Sequence, residues 1–153
     1  MIDDLYSGQI LSLAANLPRA GRLAAPEGSA EKVARLCGSR IVADVVMDGT
    51  KVADFAQEVK ACALGQAAAA VLGAHVIGAD VAEIEMTLEA FRAMLKSGGS
   101  PPTGRFSGLS MLQPVKDYPP RHASSLLAFE ATAEACRRAL GSKDARTRRA
   151  GAA

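Results

Sequence analysis

A chain of 153 residues, 49% apolar, with a net charge of +2 fits one globular domain, long enough to bury about two-thirds of its unfolded surface. That charge is too small to indicate nucleic-acid binding. The most apolar stretch, 61–79, is mostly alanine interrupted by Gln66 and His75, which falls short of a membrane span. Aromatics make up 4% of the chain and Trp is absent, a composition that suits closely packed helices better than a large aromatic-lined pocket. Three cysteines cannot all pair within one chain. No basic segment followed by an apolar run opens the sequence, so no signal peptide is expected. The reading is cytoplasmic, where thiols stay reduced and serve as ligands or nucleophiles.

In chain order, apolar residues at Leu5, Ile10, Leu11, Leu13 and Ala14 predict a helix over 5–17, ended by Pro18. A loop follows through Gly21, Pro26, Gly28 and Ser29. Strands are expected over 32–36, 40–47 and 50–59, the last two flanking Asp48-Gly49, a strong hairpin signal because both residues tolerate positive φ. A two-residue turn there sets Met47 opposite Thr50, Arg40 opposite Gln57, Ala43 opposite Asp54 and Cys37 opposite Lys60. Cys37 and Cys62 then lie at the same open end of the hairpin.

An Ala-rich helix is predicted over 62–72, with Gly73 and Gly78 framing the turn after it. Asp80 reads as the cap of the next helix, with Glu83 as capping-box partner. Val81, Ile84, Leu88, Phe91 and Leu95 supply its apolar stripe. Residues 97–108 are rich in Gly, Ser and Pro and read as an exposed loop, with a short helix opening at 109–112. After Pro119-Pro120 a long helix is expected over 124–140. The layout is a single domain over 1–140 with a basic, disordered tail over 141–153. Strands followed by helices give an α+β fold, a three-stranded antiparallel sheet packed on one face by helices.

Cys62 opens a helix, where free N–H groups favour a thiolate, and Lys60 adds to that effect. Cys37 precedes Gly38 in a turn, and His122 stands at the head of the last long helix. Cys, Cys and His suit zinc, iron or an iron–sulfur cluster. Most lone cysteines are small core residues, and a histidine before a helix is commonly a hydrogen-bonding group, so spacing alone leaves the metal site open. Cys136, fourteen residues past His122, lies roughly 21 Å further along a helix and is read as a core residue, as are Met94, Phe106, Met111 and Phe129. His75 and Lys60 have plain structural readings as turn and strand-end residues.

The wording around these residues resembles the NifU/IscU-type iron–sulfur scaffold family, with its SufU relatives, over residues 6–140. Leu17-Pro18-Arg19-Ala20-Gly21-Arg22-Leu23 is similar to its N-terminal helix and loop. Cys37-Gly38 resembles its Cys-Gly-Asp motif, and Val52-Ala53-Asp54-Phe55 the strand leading to its second cysteine, here Cys62. His75-Val76-Ile77-Gly78 with Glu83 resembles its turn into a helix. Leu112-Gln113-Pro114-Val115-Lys116 is similar to a segment offered to a specialised Hsp70 chaperone, and His122-Ala123-Ser124 to its His-Cys-Ser.

The resemblance implies a scaffold, not an enzyme, on which sulfide from a cysteine desulfurase meets iron, with Cys37, Cys62 and His122 carrying the metal. Neither nucleic acid nor membrane is an expected partner. Ser39 stands for the family's aspartate, Ala123 for its third cysteine and Gln113 for a proline, and residues 117–121 are extra. With two thiolates left, zinc is a plausible occupant, and the fourth position falls to Ser39, water or a partner's residue. The alternatives are a zinc-bound sulfur acceptor, or a degenerate paralogue that binds no cluster and acts as an interaction partner of a desulfurase.

Overall fold

The computed structural model describes the backbone of residues 7–151 and the side chains of residues 7–142; residues 1–6, which include 5–6 of the expected first helix, and 152–153 of the tail lie outside them. Helix α1 (Gly8–Ala15) starts where Ser7 Oγ accepts from the Ile10 amide at 3.3 Å and buries Ile10. Strands β1 (Gly28–Ala34), β2 (Ser39–Asp48) and β3 (Lys51–Lys60) form an antiparallel meander in the order β1-β2-β3. Helices α2 (Ala63–His75) and α3 (Val81–Lys96) follow, then 3₁₀ segments at Gly104–Asp117 and Pro119–Arg121, and finally α4 (His122–Gly151). This is the expected α+β arrangement.

Helix α4 lies across β1 and β2 and also packs against α2 and α3. Gly28 permits that crossing, because a Cβ there would fall 2.1 Å from the Ala135 carbonyl oxygen. Phe129 of α4 meets Phe91 and Phe106 edge-to-face, with ring centroids 5.9 and 5.3 Å apart, the geometry that aromatic quadrupoles favour. Of the four residues read as core, Met94, Phe106 and Phe129 are buried and Met111 is half-buried.

The hairpin register departs from the expected one. Asp48 pairs with Lys51 and Met47 with Val52, and an irregularity between Val46 and Met47 then sets Ala43 opposite Gln57 and Arg40 opposite Lys60. The turn tip is Gly49-Thr50, one residue later than Asp48-Gly49, with Gly49 at φ +62°. Thr50 is held there by its hydroxyl donating to Asp80 Oδ2 at 2.6 Å and its carbonyl accepting from the Val81 amide. Ala53 is the extra residue of a β-bulge. The longer hairpin still sends Cys37 and Cys62 out of the same end.

Two further boundaries move. Helix α2 runs through Gly73 to His75, since Gly73 is needed for packing and not for a turn: a Cβ there would meet Gln57 Nε2 at 2.7 Å and the Pro18 carbonyl oxygen at 2.8 Å. Gly78, at φ +85°, makes the turn alone. Asp80 caps α3 by accepting from the Ala82 amide, while Glu83 bonds Arg105 rather than returning to the cap. Helix α4 begins at His122 and continues to Gly151, past Leu140; the stretch is rich in Ala, Arg and Lys, good helix formers that carry a helix across a single Gly141.

Candidate thiol and metal site

Two elements deliver the thiols. The β1–β2 turn carries Cys37, exposed, next to Gly38 at φ +72°, a left-handed conformation that suits glycine. Cys62 is the residue that caps α2, two positions beyond the end of β3, and its side chain makes no capping bond. With Gly38, Ser39, Val59, Lys60, Ala61 and Gln66 they line one open cleft of about 430 Å³. The pairing of Cys37 and Cys62 at one mouth is thus present in the fold, despite the altered register.

Each sulfur has a serine hydroxyl beside it. Cys37 Sγ lies 3.0 Å from Ser39 Oγ and Cys62 Sγ lies 3.6 Å from Ser124 Oγ. Ser124, fully buried in the first turn of α4, also acts on Cys37. Burial pushes the Cys37 thiol up, but the hydroxyl and amide of Ser39, the Ser124 hydroxyl and the positive charge of Arg121 together bring it below its ordinary range. Gly65 allows the close approach of α2 to α4, since a Cβ there would stand 3.0 Å from the Ser124 carbonyl oxygen. The Arg121 carbonyl accepts from both Ser124 and Ser125, at 3.2 and 2.9 Å, so Ser125 alone keeps it satisfied if Ser124 turns towards sulfur.

His122 sits at the head of α4 as expected, but its ring faces backbone. Nε2 is 2.9 Å from the Val115 carbonyl oxygen and 3.2 Å from that of Lys116. A carbonyl only accepts, so Nε2 carries a proton, and in the neutral ring Nδ1 is then the nitrogen with the lone pair. Among the described residues no three His, Cys, Asp or Glu side chains converge as a ready metal site; the structure gathers the two thiols and leaves the imidazole outside their cluster. Ala123 is exposed. Cys136 is buried, and burial pushes its thiol up to about 12, so it is inert core. His75 is exposed at the end of α2, with its carbonyl bonded by Arg105.

Sequence reasoning missed Ser124 and Arg121. In the triplet His122-Ala123-Ser124 the serine, one position past the absent cysteine, is the residue that reaches the thiols. In the 112–116 segment Leu112 and Val115 are buried, while Gln113, Pro114, Lys116 and Asp117 line a separate shallow depression. No helix among the described residues is long and apolar enough to cross a membrane.

The structure was compared with known proteins. It matches a crystal structure of a nitrogen-fixing NifU-like protein (N-terminal) from Brucella abortus, with 44% identity, a TM-score of 0.89, and coverage of 92% of this chain and 97% of that one. The chain therefore belongs to the NifU-like family, of the NifU/IscU/SufU type. The fold is shared by a candidate iron–sulfur cluster assembly scaffold protein for the SUF system from Fervidobacterium islandicum AW-1 (22% identity, TM-score 0.80, 88% of this chain and 98% of that one). A hypothetical protein at 24% identity and TM-score 0.78 has it too, over 88% of this chain and 98% of its own. No family model and no curated protein matches the chain.

Proposed function

We propose that the protein is a scaffold-type carrier in iron–sulfur cluster assembly, holding iron, a cluster or zinc as cargo rather than turning over a substrate. The observation that carries this reading is the pair of thiols, Cys37 and Cys62, lining one open cleft at the hairpin mouth. Membership of the NifU-like family supports it. Thiolate sulfur is the donor that zinc and iron–sulfur centres share. In this reading His122, which lies outside the thiol cluster in the structure, turns in as the third ligand through Nδ1, since a metal-bound histidine usually donates its other N–H to a carbonyl or carboxylate, as Nε2 does here. The Ser39 and Ser124 hydroxyls stand ready to donate to bound sulfur. A cysteine desulfurase is the implied partner, a chaperone of the Hsp70 type a second one, and the cytoplasm the implied setting.

A second reading has its own observation. Ala123 is exposed where relatives' third thiol is expected, and Cys37 is an exposed thiol held below its usual range. In that reading the Cys37 thiolate attacks the outer sulfur of a desulfurase persulfide, forming a Cys37 persulfide and releasing the enzyme's thiolate, with no net oxidation. Anaerobic reconstitution with iron and sulfide, followed by metal analysis and visible absorption, tests the scaffold reading. Stoichiometric iron or zinc is expected; absence of both contradicts it and leaves sulfur transfer, read by mass spectrometry of a desulfurase reaction.

A further inference from the structure

The two edges of the sheet are closed to different extents. Along β3 the outer backbone groups are taken towards both ends: Gln57 exchanges bonds with Arg19 and Gly21, and the 78–81 segment bonds Thr50 and Val52. On β1, Arg138 of α4 donates to the Ser29 carbonyl at 2.8 Å and covers that position. Alternate residues of an antiparallel strand turn both backbone groups to the same side, so Glu31 and Val33 face outward with Ser29. Among the described residues neither has a further backbone partner on that side. Lys32 is the residue whose charge could shield such an edge, but it is drawn aside to Glu134 of α4 at 3.4 Å. Val33 is 50% exposed on this open stretch.

Glu31 and Val33 share one face of β1, and Arg35 follows at the next step of that alternation, all three exposed. The order is an acid, an apolar residue and a base. Turned antiparallel about a two-fold axis at Val33, this order complements itself: Val33 meets its own copy and each Glu31 faces the other copy's Arg35. Opposite charges set directly across a strand pair stabilise it, and like charges oppose it. Pairing Glu31 with Glu31 or Arg35 with Arg35 fails on that ground, and pairing either with Val33 leaves a charge against apolar carbon. A strand of unrelated sequence would use the same backbone groups, but the palindromic charge order would then be idle. We infer that the β1 edge is the seat of a second copy of this chain, which adds its own β1 antiparallel and continues the three-stranded sheet into one of six. The two Cys37 turns then leave the shared strand pair at opposite ends, so each thiol cleft stays separate. The inference is independent of what those clefts hold.

The test is analytical ultracentrifugation of the full chain under reducing conditions over a range of concentrations, with and without a metal chelator. A dimer is expected in both cases, weaker at high salt. Glu31→Arg and Arg35→Glu are each expected to weaken its dissociation constant at least about tenfold, and the double exchange Glu31→Arg/Arg35→Glu to recover most of that loss. Val33→Lys sets like charges together on the axis and is expected to leave a monomer. All three positions are exposed, so the dilute variants keep a melting temperature near that of the dilute wild type. Lys96→Glu, at the exposed end of α3, is expected to dimerise like wild type. A wild type that is monomeric at every concentration overturns the proposal, as do single variants that dimerise unchanged, a double exchange that recovers nothing, or equal weakening by Lys96→Glu. Dissociation by the chelator overturns it in favour of a metal shared between copies. Metal content of the same samples reads the cluster proposal separately.

Discussion

The Asp44 nest and the thiol cleft treat charge in opposite ways. The Asp44 carboxylate, fully buried in β2, takes Arg22 Nε at 2.7 Å, Arg22 Nη2 at 3.1 Å, the Leu23 amide at 3.0 Å and the Ser29 hydroxyl. All of its partners come from the N-terminal loop and β1, so the nest ties that loop to the sheet. At the cleft the sulfurs have only serine hydroxyls close by, Ser39 and Ser124 at Cys37 and Ser124 at Cys62, and Arg35, Lys60 and Arg121 form no ion pair among the described residues. Burying a charge is tolerable only when its partners are complete, and the nest meets that condition internally. The cleft leaves its charged and thiol groups without such a set of partners among the described residues.

The largest separation between the regions comes from Asp44→Ala. It leaves the Leu23 amide and Ser29 hydroxyl without their acceptor and is expected to cost about 1–3 kcal/mol of stability, read by chemical denaturation, with metal binding unchanged at folding temperatures. Burial pushes the Asp44 carboxyl up, but Arg22, Ser29 and the Leu23 amide outweigh it and hold the group below the usual range. Its contribution is therefore present above the unfolded value of about 3.9 and is lost as pH falls through the lower folded one. The wild type should destabilise more steeply than Asp44→Ala in acid.

Ser124→Ala is the smaller and sharper test. Ser125 still satisfies the Arg121 carbonyl, so the fold should lose only about 1 kcal/mol. Loss of a hydroxyl beside both sulfurs is expected to weaken metal binding about 10–100-fold, measured by competition with a chelator. Ser125→Ala, which leaves the sulfurs' neighbours in place, should bind metal like wild type.

Much of this was legible in the sequence, for identifiable reasons. The α3 stripe from Val81 to Leu95, the Asp80 cap and the strand-then-helix order are local patterns, and they appear as read. Cys37 and Cys62 came together because both leave one end of a hairpin, a property that survives a register error of three. The register itself was not legible: it depends on Thr50 bonding Asp80 and on the bulge at Ala53, contacts made by a distant helix. Gly73 was read as a turn residue because glycine's role in close packing against Pro18 and Gln57 has no local signature. Ser124 and the carbonyl-facing ring of His122 depend on how α4 meets α2 and the 3₁₀ segment, which no periodicity records.

The central claim is that Cys37 and Cys62 are joint ligands of one site. Cobalt(II), a spectroscopic stand-in for zinc or iron, tests it directly when titrated anaerobically into wild type, Cys37→Ser and Cys62→Ser. The account predicts one equivalent bound with a strong sulfur-to-cobalt charge-transfer band in the wild type. That band should weaken in each variant, with affinity falling by more than the roughly 10–100-fold typical of outer-shell changes. A wild type without the band, or either variant retaining it at full intensity and affinity, contradicts the claim.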